Sequence, residues 1–148
     1  MNIEIISAFC DIKNHLDHSD VHKILSDGLF DGSPDGISKF IGRYRENSSW
    51  QIYGWAENGE ILGVCGFEVH VDYVEIIHIS VAEQARYHGI GSSMITALQK
   101  QYEMSIEAET DDDAVEFYRK RGFKTSALQK YNVRRWTCVL PAPKISNQ

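Results

Sequence analysis

Little in this sequence invites a covalent or metallic framework. Its 148 residues include three cysteines, Cys10, Cys65 and Cys138, which are far apart, odd in number and without a C-x-x-C pair. A disulfide scaffold and a thiolate metal site are therefore not expected, and a reducing cytoplasmic setting fits best. No apolar run approaches the ~20 residues that span a bilayer. The first eighteen residues carry no basic segment ahead of a hydrophobic one, so neither export nor membrane anchoring is expected. Positive charge is also scarce. Fifteen Lys+Arg face 21 Asp+Glu, a formal net charge of -6, which argues against a nucleic-acid partner and favours a cationic one. With three prolines, no internal repeat and no low-complexity tract, the chain is neither a fibre nor an array.

What remains is 43% hydrophobic and 24% charged, the composition of an ordinary soluble globule. A chain of this length buries roughly 68–70% of its unfolded surface, enough for a core and a pocket. Residues 1–140 read as one α/β domain and 141–148 as a C-terminal tail. The apolar run Ile3 to Ile6 suggests a first strand, and the spacing of Ile12, Leu16, Val21, Ile24 and Leu25 predicts a helix from Asp11 to Ser26. A turn-rich stretch over 27–36 leads to a second helix after Pro34, with Ile37, Phe40, Ile41 and Tyr44 on one face. Residues 50–56 and 61–71 flank Asn58-Gly59, the strongest short hairpin signal.

Tyr73 to Val81 is almost continuously apolar, as a central strand covered on both faces would be. A helix to about Tyr102 follows, with Ile90, Met94, Ile95, Leu98 and Tyr102 on one stripe. Residues 104–108 suggest a short strand. Thr110 ahead of three Asp residues predicts a capped helix ending at Gly122, and strands near Phe123–Ala127 and Tyr131–Leu140 close the chain.

Chemistry concentrates between the central strand and the helix after it. Arg86, His88, Gly89, Ile90, Gly91 and Ser92 form a glycine loop at a helix start. Glycines admit a ligand close to the backbone, unpaired amides and the positive end of the helix dipole attract an anion, and Arg86 adds a fixed charge. A phosphate or pyrophosphate is the expected occupant. The loop is not a dinucleotide fingerprint, because the third glycine of G-x-G-x-x-G falls on Met94, and the Gly-Lys-Ser/Thr of a P-loop is missing.

The run Arg86-Tyr87-His88-Gly89-Ile90-Gly91 resembles the Q/R-x-x-G-x-G/A signature of the GNAT superfamily of N-acetyltransferases. A second signature of that family, A-x-x-F-Y-x-x-x-G-F, is matched by Ala114, Phe117, Tyr118, Gly122 and Phe123, in the right order and at the right separation. The resemblance covers nearly the whole chain and is weakest before Trp50. It implies a GNAT fold, with a central mixed, mostly antiparallel sheet of about seven strands flanked by about four helices. It further implies acetyl-CoA as co-substrate and no metal. The pyrophosphate would sit on the amides from His88 to Ser92, and the pantetheine arm would pair with the backbone near Ile79 and Val81. Many members carry Asn where this chain has Asp111, three residues before Ala114, a departure that bears on one cofactor contact.

Transfer to an amine requires a neutral nucleophile, and taking a proton from an alkylamine over ~3 pKa units costs about 4–5 kcal/mol. Glu75, 11 residues before Arg86, resembles in position the catalytic glutamate of one GNAT branch; a carboxylate desolvated in an apolar strand gains basicity. His78, on the opposite face by alternation, is the competing base with a better intrinsic pKa, and a water chain is the third option. Tyr118 resembles the family's general acid, which protonates the departing thiolate; the plainer role is core packing beside Phe117, with the hydroxyl bonding the cofactor sulfur.

The expected activity is direct acetyl transfer to a primary amine of a small molecule or peptide. Cys65 and Cys138 lack a nucleophile's context, which disfavours an acyl-enzyme. A non-catalytic acyl-CoA-binding sensor of GNAT-like fold is the alternative, and a homodimer is a state common in that family. Asp27, Asp31 and Asp35 read either as turn residues or, with Glu68 or Asp72, as acids that attract a cationic amine. His15, His18 and His22 fall at helical spacing, but no carboxylate or thiolate completes a metal motif, so solvated histidines are expected. Tyr53 and Trp55 share a strand face as packing residues, Arg119 to Arg121 complement a helix C-terminus, and Arg134 and Arg135 are expected at a solvated edge.

Overall fold

The computed structural model of the protein describes residues 7–144. Its strands are β1 (Ser7–Asp11), β2 (Trp50–Glu57), β3 (Glu60–Val69), β4 (Tyr73–Val81), β5 (Ser105–Thr110), β6 (Lys124–Lys130) and β7 (Val133–Leu140). They hydrogen-bond in the order β1-β2-β3-β4-β5-β7-β6. β4 and β5 run parallel, whereas β1–β2, β2–β3, β5–β7 and β6–β7 are antiparallel, which makes the sheet mixed and mostly antiparallel as expected. The helices among the described residues are α1 (Ser19–Gly28), α2 (Pro34–Glu46), α3 (Ile90–Tyr102) and α4 (Val115–Arg119). Packing divides the described residues into two compact units, 7–68 with Ile77–Ala97, and Val69–Ile76 with 98–144.

In the first unit, Asn58 and Gly59 both take positive φ, 52° and 84°, the left-handed pair that a two-residue hairpin turn needs to match strand twist. α2 starts as its sequence directs: Pro34 occupies the first turn and the Ser33 hydroxyl accepts the Gly36 N–H at 3.1 Å. It buries Ile37, Phe40, Ile41 and Tyr44, and Tyr44 is fully enclosed.

The helix expected from Asp11 begins only at Ser19. Asp11 is the last residue of β1, paired with Tyr53, and the Ile12 N–H donates to the Ile52 carbonyl at 3.1 Å. A single 3-10 turn over Lys13–His15 follows, and His18 Nδ1 accepts the Asp20 N–H at 3.0 Å as the cap of α1. Ile12 and Leu16 are buried although neither is in α1, so their helical spacing came from anchoring an irregular segment. His15, His18 and His22 consequently fall on a turn, a cap and a helix rather than on one helical face. The strand expected over Ile3 to Ile6 lies outside the described residues.

In the second unit β5 ends on Thr110, so Thr110 is a buried strand residue and not a helix cap. α4 starts five residues later, and the Asp111 carboxylate accepts the Ala114 N–H at 3.0 Å instead. Asp112 turns away to the β6–β7 hairpin. It accepts two bonds from Arg134, both at 2.9 Å, and one from Trp136 Nε1 at 2.7 Å, and these hold its carboxyl below the usual range. Arg135 and Lys130 do the same for Glu109 at 3.0 and 3.1 Å. Arg134 and Arg135 are thus ion-paired rather than merely solvated. Gly122, at φ +92°, allows the chain to leave α4 with Phe123 N–H on the Tyr118 carbonyl at 3.2 Å.

Candidate functional site

β4 carries the glycine loop. It is less covered than its apolar sequence predicts, since only Val74 and Ile76 are buried and the rest of the strand is half-buried. Its ladder with β5 runs only from Tyr73 to Glu75, opposite Ser105 to Glu107, although β4 continues to Val81. Among the described residues the stretch containing Ile79 and Val81 therefore has no β5 partner, and edge amides and carbonyls of this kind accept an extended ligand.

Past Val81, the Ala82 N–H donates to the Leu62 carbonyl at 2.8 Å, and a 3-10 turn over Glu83–Ala85 delivers Arg86. Arg86 folds back so that Nε donates to the Val81 carbonyl at 3.1 Å, which fixes the guanidinium beside the strand end. Tyr87 follows at φ 66°, fully exposed, and Gly89 at φ 85°. A Cβ placed on Gly89 would meet nothing within 4 Å, so the glycine supplies a left-handed backbone and leaves open space above it. α3 begins at Ile90, with the Ser93 N–H on the Gly89 carbonyl at 2.9 Å, and by helix geometry the amides before Ser93 lack acceptors within their own helix. A guanidinium, a run of amides and an open glycine on thirteen helical residues suit a diphosphate. Gly63 allows α3 to sit close, because a Cβ there would come within 2.9 Å of Met94 Cε and 3.1 Å of Ile90 Cγ2.

His78 belongs to the same unit. Its ring stands edge-on to Phe40 at 5.1 Å, Nε2 lies 2.9 Å from the Ser80 hydroxyl, and burial pushes its pKa down to about 4. The intrinsic basicity that made it a competing base is lost to packing. Gly28 at the end of α1 closes over this point, since a Cβ there would lie 2.8 Å from Ser80 Cβ. Of the three acids expected as turn residues, only Asp31 lies in the following loop; Asp27 is the penultimate residue of α1 and Asp35 stands in the first turn of α2. Asp31 accepts the Ser33 N–H at 3.1 Å, and Asp35 pairs with Lys39 at 3.2 Å. Phe30 in that loop is fully exposed. Tyr53 and Trp55 pack with Phe9 at 5.1 and 6.4 Å, in keeping with a packing role.

The second unit holds Glu75 and Tyr118. Glu75 is not desolvated as its apolar neighbours suggest; its side chain is 47% exposed and Oε1 lies 3.0 Å from His70 Nε2. Tyr118 is 5% exposed, edge-on to Phe117 at 5.0 Å and to Phe123 at 5.1 Å. Arg121 lies 3.8 Å over the Phe117 ring and donates to the Phe117 carbonyl at 2.6 Å. Two features escaped the sequence reading. His70 fell inside the strand expected over 61–71 and was not singled out, and Trp136, between Arg119 at 4.7 Å and Arg134 at 5.5 Å, had no local motif.

A mixed sheet in this order, whose fourth strand feeds a basic glycine loop into a helix, is the architecture of an α/β acetyltransferase. The chain belongs to the GNAT family, whose acetyltransferase (GNAT) domain model matches residues 48–125. It is 41% identical over 67 residues to an N-acetyltransferase of Bacillus methanolicus from the lysA 3' region, a match that covers 45% of this chain and 56% of that one. The fold is similar to that of the ribosomal-protein-S18-alanine N-acetyltransferase of Escherichia coli, at a TM-score of 0.74 and 14% identity over 95% of this chain and 97% of the other. It is also similar to an aminoglycoside 6'-N-acetyltransferase complexed with coenzyme A, at 0.71 and 15% identity over 94% and 99%. Among the described residues no helix is long and apolar enough to cross a membrane.

Proposed function

We propose that the protein transfers the acetyl group of acetyl-CoA directly to a primary amine of a small molecule or peptide in the cytoplasm. The observation that carries this reading is the Arg86–Ser92 loop, with Arg86 held on Val81 and Gly89 left-handed and open, at the end of a strand that outruns its ladder with β5. Arg86 and the amides from His88 through Gly89, Ile90 and Gly91 to Ser92 would take the pyrophosphate, and the backbone at Ile79 and Val81 the pantetheine arm. The fold neighbours named for an aminoglycoside and for a protein alanine are both named for amine acceptors, which supports the acceptor class.

Glu75 is the base of this reading. It accepts one ammonium proton, the freed nitrogen attacks the acetyl carbonyl, the C–N bond forms as the C–S bond breaks, the thiolate takes its proton from Tyr118, and the second proton lost by the nitrogen passes through water to restore the tyrosine. A phenol giving a proton to a thiolate is uphill by only about 2 kcal/mol. The surplus of acids favours a cationic acceptor.

The test is thiol release from acetyl-CoA over a panel of amines, including aminoglycosides, polyamines and peptides with free N-termini. Turnover of at least one amine is expected. Arg86→Ala should raise KM for acetyl-CoA about 10-fold or more, as loss of a charge-assisted contact of about 1.5–3 kcal/mol implies. Acetyl-CoA binding by calorimetry without turnover of any amine would return the sensor reading.

A further inference from the structure

The turn between β3 and β4 does more than reverse the chain. The His70 N–H donates to the Tyr73 carbonyl at 2.8 Å, which closes the turn, and the His70 ring stacks on the Tyr73 ring at 4.4 Å and 16°. Tyr73 and Glu75 are two residues apart on a strand and share a face. A ring laid on the first therefore reaches the second, and His70 Nε2 lies 3.0 Å from Glu75 Oε1. Backbone and stacking contacts thus fix the imidazole independently of its bond to the carboxylate. The pair is open to solvent, at 31% and 47% side-chain exposure, and so within reach of an arriving amine.

We infer that His70 is the positioning residue of Glu75, holding its carboxylate in the orientation in which it serves as base. This rests on Glu75 being the base. Nε2–H donates to Oε1 and holds the carboxylate in one rotamer, which leaves Oε2 to take the ammonium proton.

Two measurements on the full chain decide this. In NMR spectra of the histidine side chains, Glu75→Ala should move the His70 ring resonances and leave those of the other histidines in place, because only His70 loses its partner. Unmoved His70 resonances would overturn the pairing. In kinetics on an amine from the panel, kcat/KM of His70→Ala should fall about tenfold with the KM for acetyl-CoA unchanged. His70→Gln, which keeps an N–H donor, should recover most of that loss. A His70→Gln variant as slow as His70→Ala, or wild-type rates in His70→Ala, would overturn the role. If the wild type acetylates no amine, the proposed function fails with its base, whereas the spectra still report whether the pair exists.

Discussion

The hydroxyl of Tyr44, fully buried, occupies the place where a Cβ of residue 66 would stand and has no hydrogen-bond partner among the described residues. A Cβ on Gly66 would overlap that oxygen, so β3 needs a glycine there because α2 supplies a tyrosine. Burial also pushes the phenol pKa up, the direction of a polar group held away from water. Tyr44→Phe removes a desolvated oxygen and no bond, and is expected to leave stability unchanged or raise it by up to about 1 kcal/mol. Gly66→Ala should cost about 1–3 kcal/mol by overpacking. In the Tyr44→Phe background the cost should shrink, and urea unfolding of the four proteins measures that coupling. Strict additivity would disprove the contact.

A second backbone constraint lies in the β6–β7 turn. Tyr131 and Asn132 both take left-handed φ, 55° and 63°, the geometry that Asn58-Gly59 provides in the first hairpin. Asn tolerates that region and Tyr does not, so Tyr131→Asn should stabilise by about 0.5–1 kcal/mol. Thermal denaturation would register this as a rise in Tm, and a fall would contradict the turn assignment.

These two hairpins show what was legible in the sequence and what was not. Asn-Gly is local chemistry, so the β2–β3 turn could be read directly. Tyr-Asn has no such preference, and tertiary pairing of Gln129 with Arg134 imposes the same conformation. The glycine loop and α2 were legible for the same reason, since Gly89, Pro34 and Ser33 act within a few residues of their positions. The start of α1 was not, because Ile12 and Leu16 are buried at helical spacing without being in a helix. At the candidate site, Glu75 and Tyr118 were visible through motif and position. The His70 contact depends on a turn returning a ring onto Tyr73, which no periodicity encodes.

His78 carries a pH prediction. Its folded pKa is lowered from 6.5 to about 4, with burial as the cause. The unfolded chain takes up a proton at this residue below about pH 6.5, while the folded chain stays neutral until about pH 4. The contribution of the neutral ring is therefore whole above pH 6.5 and is lost as pH falls through that window. The loss should amount to about 1–3 kcal/mol. Urea unfolding of wild type and His78→Gln at pH 7 and pH 4.5 checks it: the wild type should lose more stability between the two. Equal losses would mean that His78 is solvated in the folded protein.

Tyr118 and Glu75 can be separated by which kinetic constant fails and where. Tyr118 is packed between Phe117 and Phe123, and Phe at this position keeps the ring contacts and removes only the oxygen. Tyr118→Phe should therefore keep its KM for acetyl-CoA while kcat falls roughly 100-fold, the loss typical of a general acid. Glu75→Gln should instead lower kcat/KM for the amine, most severely at low pH. An alkylamine with a pKa near ~10.4 is almost wholly protonated at pH 6 and gains about tenfold in its neutral form per unit above that. As the solution takes over deprotonation, the deficit of Glu75→Gln should narrow towards pH 9, while that of Tyr118→Phe should not. Full turnover by both variants from pH 6 to pH 9 would remove both residues from the chemistry. A deficit for Glu75→Gln that is flat across that range would leave Glu75 a structural carboxylate and shift the base to water.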